Sequence, residues 1–283
     1  MAGALERADA DSTKWRRRMS FLQIPSQRSM PSSRRQFLKL AAGSVAANFL
    51  GSSPLVSAVT KPNIRAIAFD AFPIFDPRPI FALAEELFPG KGGDLSNAWR
   101  TRQFEYQWLR ALSGRYADFW QTTEDALVFA AKMLKLDLTP DKRKRLMEAY
   151  LELKAWPDVP LALKSLKEAD IRMAFLSNFT PRMLDAGIKS ARLEGIFEHL
   201  LSTDNVKTYK PDPRAYQMGI DAFGLKRDEI AFVAFAGWDA AGAKSFGYPT
   251  FWVNRLNLPL EELGVVPDAM GGNLSDLVTF VKS

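Results

Sequence analysis

The 283-residue chain contains no cysteine and one histidine, His199. The first absence removes disulfides, thiolate nucleophiles and cysteine metal sites together. It is compatible with an oxidising compartment without proving one. The second leaves a single imidazole, which argues against a Ser-His-Asp triad and against a multi-histidine metal site. His199 lies in "IFEHLL", at the approach to a strand, and reads as a structural residue, with general-base work as its functional alternative. Acid–base chemistry therefore falls to carboxylates, lysine or tyrosine. Long apolar runs are also missing. The candidate from Leu40 to Leu50 is too short and too rich in small residues to span a bilayer, so no stable membrane anchor is expected. Nor does the body of the chain carry a charge excess. Residues 1–58 hold nine basic and three acidic side chains, which accounts for the whole net charge of +6 and leaves 29 of each sign beyond them. That balance gives no electrostatic reason to bind nucleic acid.

What is present begins with a leader. "SRRQFLK" (Ser33 to Lys39) precedes the mildly apolar Leu40 to Leu50, and the small-residue site "VSA" ends at Ala58. Charged region, short apolar region and small-residue end make an export signal. The pair Arg34–Arg35, followed by Phe37, Leu38 and Lys39, resembles the bacterial twin-arginine signal. Residues 1–58 are thus expected to be a disordered or removed leader that engages the twin-arginine export machinery, with the mature chain periplasmic. Met19 or Met30 would serve equally as the start, since "MPSSRRQFLK" is a complete leader.

Beyond it, "IRAIAFD" (Ile64 to Asp70) reads as a buried strand that ends on an acid. From Ile80 to about Lys154 the periods are helical, with Trp99, Phe104, Trp108 and Leu112 at helical spacings. "TTEDALVFAAKMLKL" and "TPDKRKRLMEAYLELKAW" each open on threonine with an acid in the first turn, which predicts threonine N-caps. "WPDVP" ends the helical block. Helices and strands then alternate, through the strands "IRMAFLSN", "FEHLLST" and "EIAFVAF", to a last strand at "PTFWVN". The pattern predicts an α/β, doubly wound parallel (Rossmann-like) sheet with a helical cap inserted after the first strand. The core is expected over 61–78 and 156–283, and the cap over 79–155.

Four strand ends deliver polar groups to one sheet edge, where ligands sit in such folds. They are Asp70, Ser177 with Asn178, Lys210 in "YKPDPRAY", and Asp239 in "AGWDAAGA". Singly each is weak: Ser-Asn suits a turn, Lys210 suits a solvated loop and Asp239 suits an N-cap. Together they point to a site, with Asp70 set to attack either phosphorus or carbon.

With "WRTRQFEYQWLRALSGRYADF", "LSN", "YKPDPRAY" and "WDAAGA", the chain over about 64–275 resembles the haloacid dehalogenase superfamily, and most closely its L-2-haloacid dehalogenases. Phosphatases of that superfamily carry a second aspartate two positions after the nucleophile and an acidic pair for magnesium. Here the first position is Phe72 and the last motif holds one acid. Halide leaves without a proton, so the resemblance implies attack on carbon, with no metal and no cofactor. It implies that Asp70 displaces halide from C2 of a small halogenated carboxylic acid to form an ester. Asp239 would direct the hydrolytic water, Lys210 would hold Asp70 ionised, and Arg100 would accept the halide. Ser177 would receive the substrate carboxylate, while Asn178 and Phe119 complete the halide cradle. Phe72, Phe104 and Trp238 would wall out water, and Tyr216, which matches a family tyrosine near the lysine, would join the substrate-binding residues. Such enzymes often dimerise through the helical region, which Trp99, Trp108 and Trp120 permit.

Three polar supports usual in that family are absent. Pro73 and Ile74 stand where a Gly-Thr pair is usual, and Ala234 and Ala236 replace a serine and an asparagine. These departures leave a second reading open, that of a catalytically impaired relative which binds a small carboxylate. A phosphatase stands behind both.

Overall fold

A computed structural model describes residues 63–283. The leader assigned to residues 1–58, and the export reading with it, lie outside the described residues. Six strands form one parallel sheet: β1 (Ala66–Phe69), β4 (Arg172–Ser177), β5 (His199–Ser202), β6 (Ile230–Ala234), β7 (Thr250–Val253) and β8 (Ala269–Gly271). Their order is β5-β4-β1-β6-β7-β8, and every adjacent pair is parallel. The central β1 is fully buried, as befits a strand with helices on both faces.

Alternation sorts the sheet into two cores. Ile67, Phe69, Met173, Phe175, Val233 and Phe251 pack on one face. They meet α5 (Val159–Lys167), α6 (Pro181–Ala191) and α9 (Leu274–Lys282) through Leu163, Leu166, Leu184, Ile188, Leu274 and Leu277. The other face carries four small residues, Ala66, Ala68, Ala174 and Ala234, beside Leu176, Phe232 and Trp252. That leaves room for the bulk of Tyr216 and Phe223 on α7 (Pro213–Phe223) and for Tyr248, while Ala240 and Ala243 of α8 (Gly237–Phe246) lie close.

Between β1 and β4 the chain makes an excursion. A two-residue strand β2 (Phe75–Asp76) pairs antiparallel with β3 (Lys154–Ala155). Between them run α1 (Arg78–Leu87), α2 (Gly92–Leu112), α3 (Phe119–Met133) and α4 (Pro140–Glu148). Thr139 caps α4, its hydroxyl accepting the Lys142 N–H, as expected. For α3 the expectation was wrong. Its N-cap is Asp118, whose carboxylate accepts the Gln121 N–H. Thr122 and Thr123 lie inside the first turns, where tertiary hydrogen bonds to Tyr209 and Gln103 occupy their hydroxyls.

Two further expectations are corrected. The strand at β7 is not the last, since β8 extends the sheet and α9 follows it. The buried side of α2 does not run through Leu112, which is 88% exposed. It runs through Leu95, Trp99, Gln103 and Gln107, at intervals of four. Among the described residues no helix is long and apolar enough to cross a membrane.

Candidate active site

Asp70 directly follows the central strand, and its N–H donates to Val233 O (3.0 Å), which holds it at the carboxyl end of the sheet. Its side chain is 14% exposed and opens into a cavity of about 170 Å³. Lys210 Nζ donates to Asp70 Oδ1 at 2.8 Å and to Asp239 Oδ2 at 2.6 Å. Lys210 and Asp239 are almost wholly buried, at 1% and 2%. Asp70 Oδ2 accepts only the longer bond from the Phe72 N–H, at 3.3 Å. One carboxylate oxygen is thus fixed by a cation while the other keeps lone-pair capacity.

Asp239 sits in the first turn of α8 but does not cap it, since Ala236 is the N-cap. Burial pushes its carboxyl up to about 6; Lys210 opposes that rise and Asp70 adds to it. Burial also works against the Lys210 ammonium, but Asp239 and Asp70 outweigh it and hold it above the usual lysine value. With Lys210 on Asp70 Oδ1 and Asp239 Oδ2, and Tyr216 on Asp239 Oδ1, only Asp70 Oδ2 remains as a free carboxylate oxygen toward the cavity, too few anionic donors for magnesium. Among the described residues, no cluster of three histidine or acidic side chains suited to a metal ion occurs.

Tyr216, expected on the substrate side, is instead placed behind the acid. It is fully buried, and its hydroxyl donates to Asp239 Oδ1 at 2.7 Å. Burial and the adjacent Asp239 hold that hydroxyl well above the usual tyrosine value, so it serves as a fixed donor. The reason for the displacement is topological. Tyr216 rises from α7 on the small-residue face of the sheet, against Phe232.

The remaining expected residues meet at the cavity. Phe72, Arg100, Phe104, Phe119, Ser177, Asn178 and Trp238 line it with Asp70 and Asp239. Ser177 Oγ accepts the Phe179 N–H at 3.2 Å, which leaves its own proton to donate. Asn178 is more committed than the sequence suggested. Its Oδ1 accepts the Lys210 N–H (3.0 Å) and the Thr203 hydroxyl (3.3 Å), and its Nδ2 donates to Gln107 Oε1 (2.9 Å). Arg100 projects from α2 with its guanidinium 6.0 Å from the Phe104 ring and makes no ion pair among the described residues. That leaves its charge without an ion-pair partner among the described residues at the cavity.

The walls are aromatic. Phe72 packs edge-on to Phe179 at 5.2 Å, and Phe104 and Trp108 both meet Trp238, at 5.5 and 5.4 Å. Tyr150, Trp156, Phe179 and Phe235 also line the cavity and were not singled out from the sequence, and Trp99, read there only for its helical spacing and for dimerisation, lines it with them. Their signal was present only as scattered aromatic residues on several elements, which core packing explains equally well.

A carboxylate at the end of the first strand of a parallel sheet, bridged by lysine to a second acid and facing a cavity, is an arrangement suited to hydrolysis through an aspartyl intermediate. Residues 35–247 match the family described as haloacid dehalogenase-like hydrolase. The chain is 45% identical over 206 residues to the (S)-2-haloacid dehalogenase of Pseudomonas sp. (strain YL), covering 72% of this chain and 89% of that protein. It is 42% identical to haloacetate dehalogenase H-2 of Moraxella sp. (strain B), covering 73% and 92%. Among solved structures it is similar to an L-2-haloacid dehalogenase at TM-score 0.77 and 43% identity, over 78% of this chain and 100% of that one. It is also similar to the L-2-haloacid dehalogenase from Xanthobacter autotrophicus with chloropropionic acid covalently bound, at TM-score 0.72 and 32% identity, over 78% and 99%. The chain belongs to the haloacid dehalogenase-like hydrolases.

Proposed function

We propose that the chain hydrolyses short (S)-2-haloalkanoic acids to 2-hydroxyalkanoic acids and halide. One observation carries this. The nucleophilic Asp70 opens into a small aromatic cavity in which the position two residues on is Phe72, so that position supplies no carboxylic acid to protonate an oxygen leaving group. A cavity of about 150 Å³ takes up benzene, and 2-chloropropionate matches benzene in heavy-atom count. The cavity of about 170 Å³ therefore suits that size of acid.

Asp70 Oδ2 attacks C2 from behind. The C2–halogen bond breaks with its electron pair on the halide, which Arg100 receives, and an ester to Asp70 forms. Ser177 donates to the substrate carboxylate. Water then adds to the ester carbonyl of Asp70 as Asp239 takes its proton, and the departing alkoxide reclaims that proton as the 2-hydroxy acid. Asp70 is left as the free acid and releases its proton to solvent. Chloride release from racemic 2-chloropropionate by residues 59–283, with Asp70→Asn alongside, tests the reading. Release that depends on Asp70 and consumes one enantiomer is expected; equal release by Asp70→Asn would sink it. The reading extends to the whole protein. The paired Arg34–Arg35 supports export to the periplasm by the twin-arginine machinery, the helical insertion supports a cap role, and exposed Leu109 and Leu112 on α2 support pairing with a second copy.

A further inference from the structure

Gln107 is fully buried in the middle of α2 and does not line the cavity. Its orientation is nonetheless determined. Asn178 Oδ1 accepts from both the Lys210 N–H and the Thr203 hydroxyl, so the oxygen of that amide must face Lys210. The nitrogen then faces Gln107, which has to present its oxygen. Among the described residues Gln107 Nε2 is left without a partner, although it is buried. Burying a bare amide donor is unfavourable, so the oxygen's task is the reason to look for a role. The next residue, Trp108, donates its indole N–H to Lys210 O at 3.2 Å. Two consecutive residues of one helix therefore grip both ends of the Lys210 backbone unit, one through Asn178 and one directly.

We propose that Gln107 is a positioning residue, fixing through Asn178 the backbone from which Lys210 reaches Asp70 and Asp239. The inference rests on the dehalogenase reading for its kinetic consequences but not for its geometry. Among the described residues, the side-chain partners of Asp70 and Asp239 are Lys210 and Tyr216 alone, so a displaced Lys210 has no substitute cation. The groups facing Asp239 are Lys210, Asp70 and Tyr216. Loosening Lys210 removes the one positive charge among them and raises the pH at which Asp239 takes a proton.

The test compares Gln107→Leu with Gln107→Glu, whose carboxyl oxygen accepts whether or not it is protonated. Gln107→Met replaces the leucine variant should that one fail to fold. Met147→Ala, at a buried apolar position of α4, controls for general destabilisation. Gln107→Leu is expected to lower kcat about tenfold, with KM within about threefold. The acid limb of kcat should rise by roughly half a pH unit or more. Exchange of the Lys210 amide proton should accelerate about tenfold, and Gln107→Glu should restore all three. An unchanged kcat and limb in Gln107→Leu, or equal shifts in Met147→Ala, would overturn the proposal. If the wild-type protein releases no halide, the functional reading fails separately. The Lys210 amide then decides: faster exchange in Gln107→Leu upholds the positioning, and unchanged exchange refutes it.

Discussion

The two chemical steps should separate on lowering the pH. Attack by Asp70 on C2 needs no proton acceptor, because halide leaves unprotonated. Hydrolysis of the ester needs one, and the structure supplies Asp239, buried at 2% exposure and pushed up to about 6 mainly by that burial. One unit below that value only about one-tenth of the population holds Asp239 ionised. At pH 5 hydrolysis should therefore run at roughly one-tenth of its rate at pH 7 and above, while ester formation continues. The ester then accumulates.

Unfolding of this group's making would not mimic the effect. A carboxyl whose folded value is raised binds its proton more tightly in the folded chain. Its contribution to stability is greatest at low pH and is lost as pH rises from about 4 through about 6. Activity thus climbs across the window in which this contribution falls. The assay is a quench in strong acid during turnover of (S)-2-chloropropionate at pH 5 and pH 7. Mass spectrometry of the Asp70 peptide then reads the fraction carrying a 1-carboxyethyl group. Equal kcat at the two pH values, or no greater ester fraction at pH 5, would refute Asp239 as the base.

Three further outcomes are expected. Arg100→Met removes the unpaired cation from the cavity and should lower kcat by about a hundredfold for chloride, less for the better-leaving bromide, and an equal loss for both halides would remove Arg100 from the leaving-group side. Residues 30–60 fused to a folded reporter should reach the periplasm only with the Arg34–Arg35 pair intact; equal export with a Lys–Lys pair would refute the twin-arginine reading, and a monomer mass for the mature chain in light scattering would refute pairing through α2.

The groups legible in the sequence were those at strand ends. Asp70, Ser177 and Asp239 each follow a run of apolar residues whose period and flanking helix reveal a parallel strand, and one sheet edge then collects them. Lys210 entered by its place after β5. The register of α2 was not legible. Apolar residues at 99, 104, 108 and 112 draw one face, while burial selects 95, 99, 103 and 107 and so hides two glutamines. Polar residues bury there because Thr123, Tyr150 and Asn178 hydrogen-bond to them, contacts 20 to 71 residues away in sequence. The N-cap of α3 failed for a related reason: Asp118 and the Thr122–Thr123 pair are both good caps, and tertiary bonds to the threonine hydroxyls settle it. β8 is three residues long, at the sheet edge, ending on Gly271 and followed by Gly272, so it carries no usable period.

The departures at Ile74, Ala234 and Ala236 bear on two separate requirements, rigidity of the loop after Asp70 and orientation of the carboxylates. The loop keeps its rigidity without a threonine. Trp156 Nε1 donates to Phe72 O at 2.9 Å, Arg255 to Pro73 O at 3.1 Å, and the Trp156 N–H to Ile74 O at 3.1 Å. Three consecutive carbonyls are thus held from the far side, and Ile74 itself is buried in the core. Arg255 is anchored in turn by a two-pronged pair with Asp158. Side-chain orientation has no such redundancy. With alanine at 234 and 236, Asp239 depends on Tyr216 and Lys210, and Asp70 on Lys210 and one long backbone bond. Both Lys210 bonds join opposite charges, at 2.8 and 2.6 Å, whereas the neutral Phe72 N–H reaches Asp70 only at 3.3 Å, so each of the two outweighs the Phe72 contact. Control of both acids is therefore concentrated in a single ammonium, and whatever holds that lysine's backbone holds both acids.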